Sequence, residues 1–173
     1  MIDQLIKEID DALEHGLYIV ALNSALTLPD ICGKVAYPKL AGKRARYIRW
    51  FEEHVGKYER SPRFKDDEKM PYMSGEIVYA LRCALTHEGN PSIRLSDHNL
   101  TSFKLLRTPD YTWGGSSGYC DSNGERTIEI AIWNLCFKLC CNAKRYYEEN
   151  KDKFHFNYRI EDVKWLKKMP WIK

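Results

Sequence analysis

The chain has 173 residues, 44% of them hydrophobic, which suits one domain, 1–173, with a real core. A formal net charge of +3 and a pI near 8.4 describe a mildly basic surface that permits a polyanionic partner without requiring one. The start Met-Ile-Asp-Gln-Leu-Ile-Lys-Glu is acidic and amphipathic, unlike a secretory signal, and no apolar run approaches the roughly 18 residues of a membrane span, so a soluble cytoplasmic protein with no membrane partner is expected.

In chain order, Leu5, Ile6, Ile9 and Leu13 fall on one helix face, and this first helix should run from Asp3 to about His15-Gly16. Leu17 to Leu28 is too long and too Ala-rich for a strand and reads as a second, largely buried helix. It runs towards Pro29-Asp30-Ile31-Cys32-Gly33, where Pro29 either kinks it or opens a short continuation. After Tyr37-Pro38, Lys43, Arg44, Arg46 and Arg49 interleave with Ala45, Tyr47, Ile48, Trp50, Phe51 and Val55 in a third helix reaching about Lys57. This densest basic cluster is either a solvated helix face or a surface for a phosphate backbone. Arg60 to Lys69 reads as an exposed loop.

Ser74 to Pro91 reads as a helix with a hard stop. Ser74 can cap it, Ile77, Val78, Leu81 and Leu85 recur at helical spacing, and Glu88-Gly89-Asn90-Pro91 ends it. Beyond it, Leu100–Leu106 and Arg126–Ile132 alternate as strands, which predicts a small antiparallel hairpin. The segment 108–124 between them reads as a long loop, whose Tyr111, Trp113 and Tyr119 either stack on bases or cover apolar surface. From Trp133 or Asn134, a closing helix carries Leu135, Cys136, Leu139, Cys140, Ala143 and Tyr147 up to the charged run Glu148–Lys153. A tail over about 154–173 follows, in which Ile160, Val163, Trp165, Leu166 and Trp171 suggest one more docked helix. The expected architecture is mainly α, an up-and-down bundle of four or five helices with a small β-hairpin insertion.

The six cysteines, Cys32, Cys83, Cys120, Cys136, Cys140 and Cys141, lack Cys-x-x-Cys pairing and read as reduced thiols. Cys136 and Cys140 share a helix face and with a distant His could form a metal site, but small cysteines there usually just pack. No metal and no cofactor is expected.

The chemistry concentrates at Arg82 and His87. A His near neutrality can take the proton of a ribose 2′-OH or return one to a leaving 5′-oxygen. An Arg stays charged and can grip phosphate oxygens as negative charge develops. The pair therefore suits RNA cleavage without metal.

The spacing Arg82-Cys-Ala-Leu-Thr-His87, followed by Glu88-Gly89-Asn90-Pro91, resembles the motif of the HEPN superfamily (higher eukaryotes and prokaryotes nucleotide-binding), which closes one helix of a bundle. The resemblance implies metal-independent endoribonuclease activity, often in a toxin or phage-defence role with an antitoxin. It also implies a homodimer whose shared cleft holds Arg82 and His87 of both chains. Thr86 and Tyr79, about one helical turn either side of Arg82, and Lys43, Arg44 and Arg46 are the candidates for binding RNA or a nucleotide; the alternative is that they pack or face solvent. Active members often carry a polar residue directly after the Arg, where this chain has Cys83. Two other readings therefore stay open: a non-catalytic RNA- or nucleotide-binding module, and a structural dimer in which Arg82 pairs with Glu76 or Glu88 while His87 caps its helix. Arg49-Trp-Phe-Glu-Glu-His54 repeats the spacing, but there the helix is expected to run on past His54, leaving the two side chains about 140° apart around it.

Overall fold

The computed structural model describes residues 1–59, 73–88, 100–108, 117–122 and 125–158. Helix α1 (Ile2–Glu14) forms where the apolar period predicts it and buries Ile2, Ile6, Ile9, Ala12 and Leu13. Gly16, at φ 72°, takes the left-handed conformation that turns the chain out of α1. The next apolar segment is two helices, α2 (Tyr18–Ala25) and α3 (Leu28–Ala36), with Pro29 in the first turn of α3. Its fixed φ and missing N–H suit that place, so the proline opens a continuation.

This segment is less buried than expected. Ala21, Leu22 and Ala25 lie in the core, whereas Leu17, Ile19 and Val20 are about half exposed, at 54%, 49% and 57%. Tyr18–Ala36, at 19 residues, is also just long and apolar enough to cross a bilayer by length and composition, contrary to the expectation that no run approaches this. It is, however, broken at Leu26-Thr27, carries Asp30 and Lys34, and packs through α2 on α1 and α6.

Helix α4 (Lys43–His54) buries Tyr47, Trp50 and Phe51 and stops at His54, after which a 3-10 turn covers Gly56–Tyr58. Helix α5 (Gly75–Cys83) is capped as predicted, with Ser74 Oγ accepting from the Ile77 N–H at 3.3 Å. Regular α geometry ends at Cys83, and a π turn (Ala84–Glu88) carries the chain on.

Two glycines fix the spacing of these helices. A Cβ at Gly33 of α3 would sit 2.7 Å from the Arg46 carbonyl oxygen, and one at Gly75 of α5 would sit 2.8 Å from that of Ile48. Both obstacles are α4 backbone, which cannot swing aside. Gly33→Ala would normally help a helix interior by about 1 kcal/mol; here it is expected to destabilise by about 1–3 kcal/mol. Urea unfolding checks this, and a stabilised variant would show that α3 and α4 do not approach so closely.

The three strands β1 (Leu100–Leu106), β2 (Ser117–Ser122) and β3 (Glu125–Ala131) form one sheet in the order β1-β3-β2. This corrects the predicted hairpin. β1 and β3 pair in parallel, Phe103 opposite Ile128 and Leu105 opposite Ile130, while the antiparallel partner of β3 is β2, from the segment expected to be loop. Alternation identifies strands but says nothing about their direction or partners. Ile128 and Ile130 are fully buried, and β3 runs directly into α6 (Ile132–Glu149).

Helix α6 packs on α1, α2 and α3, and its Leu135, Cys136, Leu139, Cys140 and Ala143 complete a mainly helical core. Lys138 of α6 bonds to Glu59 at 2.6 Å, with the carboxylate side chain only 3% exposed. Cys32, Cys83, Cys136, Cys140 and Cys141 are free thiols, and burial pushes those of Cys32 and Cys136 up to about 12. The predicted loop at 60–69, the stop at Gly89-Asn90-Pro91, Tyr111, Trp113 and the tail from 159 lie outside the described residues, as do the side chains of His87, Glu88, Tyr119 and Cys120.

Candidate functional site

Arg82 lies in the last turn of α5, directly before the π turn that contains His87. In an α-helix, positions five apart are about 140° apart. A π turn, with bonds running i to i+5, widens the helix and narrows that separation. The Thr86 hydroxyl, exposed, donates to the Arg82 carbonyl at 2.7 Å within the same turn.

Arg82 is not a free cation. Its Nη2 meets Asp30 Oδ2 of α3 at 2.7 Å, with side-chain exposures of 23% and 26%, and its buried Nε has no hydrogen-bond partner among the described residues. The alternative reading, in which Arg82 pairs with a carboxylate, named Glu76 or Glu88; the carboxylate is Asp30, Glu76 bonds to Arg44, and the Glu88 side chain lies outside the described residues. The close approach of Gly33 to α4 brings Asp30 under the basic cluster as well. Burial raises the Asp30 carboxyl above its usual range, against the opposing pull of Arg82, Lys43 and Arg46.

Tyr79 joins the two helices. Its ring is 5.2 Å from that of Tyr47 and lies under two guanidinium groups, Arg44 at 5.9 Å and Arg82 at 6.0 Å. Burial raises the Tyr79 hydroxyl, and its hydrogen bond with the Cys83 thiol adds to the shift. Tyr47 is fully buried and its hydroxyl has no partner among the described residues; burial raises it well above 10, and the charge of Asp30 acts in the same direction. Of the residues singled out from sequence, Arg82 bonds Asp30 directly and lies over Tyr79, Lys43 and Arg46 act on Asp30 through their charge, and Arg44 is tied to Glu76. Thr86 stays on the outer turn.

Arg49 and His54 are held apart. Arg49 pairs with Glu53 at 2.8 Å and covers the Tyr37 ring at 4.5 Å, and the Tyr37 hydroxyl itself donates to Glu53. His54 stacks on Trp50 at 4.9 Å and meets the edge of Tyr146 at 5.1 Å, in a cleft of about 200 Å³ shared with Lys57, Asn142, Arg145 and Glu149. The helix stops at His54, so continuation past it does not separate this pair from Arg82 and His87; the surroundings do. Burial lowers the His54 pKa below the ordinary value near 6.5. Between that lowered value and 6.5 the unfolded chain binds more protons, so His54 contributes stability above about pH 6.5 that is lost as pH falls through its folded pKa. Thermal melts of the wild type against His54→Phe should therefore diverge between about pH 7.5 and about pH 5.5, with the variant less sensitive to acid. Parallel curves would remove His54 as the source.

Sequence reasoning missed Asp30 and Tyr47. Asp30 carried a local signal, an acid in the first turn of a helix opened by Pro29, but its pairing with α5 is a tertiary fact. A second groove, of about 900 Å³, runs between α3 and the segment after α6, lined by Ile31, Val35, Phe154 and Phe156, and includes none of the predicted site residues. No family model, curated protein or solved structure matches the chain.

Proposed function

We propose that this protein is a metal-independent endoribonuclease of the HEPN type, a helical-bundle homodimer acting in the cytoplasm in a toxin or phage-defence role. His87 takes the proton of a ribose 2′-OH, and the 2′-oxygen attacks the adjacent phosphorus. Arg82 holds the phosphate oxygens as charge builds on them, and the P–O5′ bond breaks. The 5′-oxygen recovers a proton, from an imidazolium such as the His87 of the second chain. The products are a 2′,3′-cyclic phosphate and a 5′-hydroxyl. The observation that carries this reading is the bond of Arg82 to Asp30 of α3 beside the turn that holds His87, with Lys43 and Arg46 of α4 near enough to act on the same carboxylate through their charge. Three cations acting on one carboxylate leave an excess of positive charge suited to a phosphodiester chain.

A second reading, an RNA-binding module without catalysis, is favoured by one observation: Cys83 stands where active HEPN proteins often have a polar group. Incubating the purified protein with single-stranded and structured RNA in EDTA separates the two. Fragments ending in a 2′,3′-cyclic phosphate are expected. Cutting only after a divalent metal is added rejects the nuclease reading, and salt-sensitive binding without cutting supports the module.

A further inference from the structure

Arg82 is the residue on which the proposed chemistry turns, and in the free protein it is occupied. Its guanidinium offers a fork that can hold two oxygens, yet it holds Asp30 through Nη2 while, among the described residues, Nε finds no acceptor. The carboxylate is also about three-quarters buried, an environment that weakens its charge and favours its release to solvent once a better anion arrives. Lys43 and Arg46 lie close enough to act on the same carboxylate, whereas Arg44 is held by Glu76.

We propose that Asp30 is a specificity-determining residue: its carboxylate stands in for a phosphate on Arg82 and is displaced only by an anion that engages the α4 cations Lys43 and Arg46 at the same time. This rests on the reading of Arg82 as a phosphate-binding group. A lone inorganic phosphate reaches Arg82 only by competing with Asp30 at its full local concentration. An RNA chain lays successive phosphates on Lys43, Arg46 and Arg82 together and gathers the energy to open the pair. The contact thus selects polyanions over small phosphates, which a cell holds in large excess.

The test is binding of a short 2′-O-methyl single-stranded RNA, which cannot be cut because its 2′-oxygen is blocked, and of inorganic phosphate as competitor. Asp30→Asn is expected to tighten RNA binding roughly tenfold. It should also make that binding sensitive to inorganic phosphate, which the wild type resists. Glu76→Gln, which removes a charge from the same face without freeing Arg82, is the control for a general change in field and should have a much smaller effect. The gain must vanish when Asp30→Asn is combined with Arg82→Gln, since it arises through that guanidinium. Circular dichroism melts establish that each variant is folded, and Asp30→Ser serves if the asparagine variant is not. If reversing the charges of Lys43 and Arg46 abolishes RNA binding while Asp30→Asn leaves it unchanged, the competitor role is wrong and the RNA site stands. A gain that survives in the double variant has the same meaning. If neither the wild type nor any variant binds RNA, the reading of the site fails and this inference goes with it.

Discussion

Replacing His87 by alanine is expected to slow RNA cleavage by about 10²–10⁴-fold, the usual worth of a positioned general acid–base group. Single-turnover rates measure this directly, because they isolate the bond-breaking step from product release. Arg82→Ala should cause a loss of comparable size, since in the proposed mechanism it removes the charge that faces the pentacoordinate phosphate. Arg82→Lys should recover only part of it, a point charge being a poor substitute for a two-pronged grip. His54→Ala provides the comparison: its imidazole lies between Trp50 and Tyr146, so its loss should leave the rate nearly unchanged at a temperature where the variant is folded. A His87→Ala protein that cuts at the wild-type rate takes His87 out of the mechanism, and a His54→Ala protein that is dead would move the chemistry to the second Arg-x-x-x-x-His pair.

Trp50→Ala is expected to give the largest loss of stability, about 3–5 kcal/mol. Trp50 is fully buried in α4, stacked on His54 and edge-on to Tyr146 of α6 at 6.0 Å. Truncation removes the wall that joins α4 to α6, and helices held by close backbone contact at Gly33 and Gly75 have little room to close the void. Among the described residues the indole N–H has no partner, so the cost is one of cavity and contact. Urea midpoints give the value. A loss below about 1 kcal/mol would mean that the site collapses freely around the smaller side chain.

The helices were legible because their signals are local. The apolar period of α1, the serine before α5 and the Cys-rich face of α6 each lie within a few turns of sequence, and all three helices form where those signals place them. Pro29 announced a change of helix, though not which of two changes. The sheet was misread in direction despite a signal in plain view: Asn123-Gly124, between β2 and β3 in sequence, is the pair most favoured in two-residue hairpins, and it assigns β2 rather than β1 as the antiparallel neighbour of β3. Within the candidate site, Arg82 and the basic residues of α4 were visible as residue types. That Asp30 would be the group between them was not, because the pairing joins positions 52 residues apart through a helix contact that depends on a glycine.

The place of α6 in the chain has a consequence for synthesis. This helix covers α1, α2 and α3, yet it follows them by about a hundred residues and emerges only after the three strands. Until it does, the apolar faces of Ile6, Ile9, Leu22 and Cys32 have no permanent cover, and β1 waits for a parallel neighbour that arrives last of the three. Contacts of such long sequence separation form slowly and leave early chains open to wrong partners. A nascent chain halted before position 132 therefore has its cationic helix α4 packed on α3 and α5, yet lacks the helix that covers α1, α2 and α3.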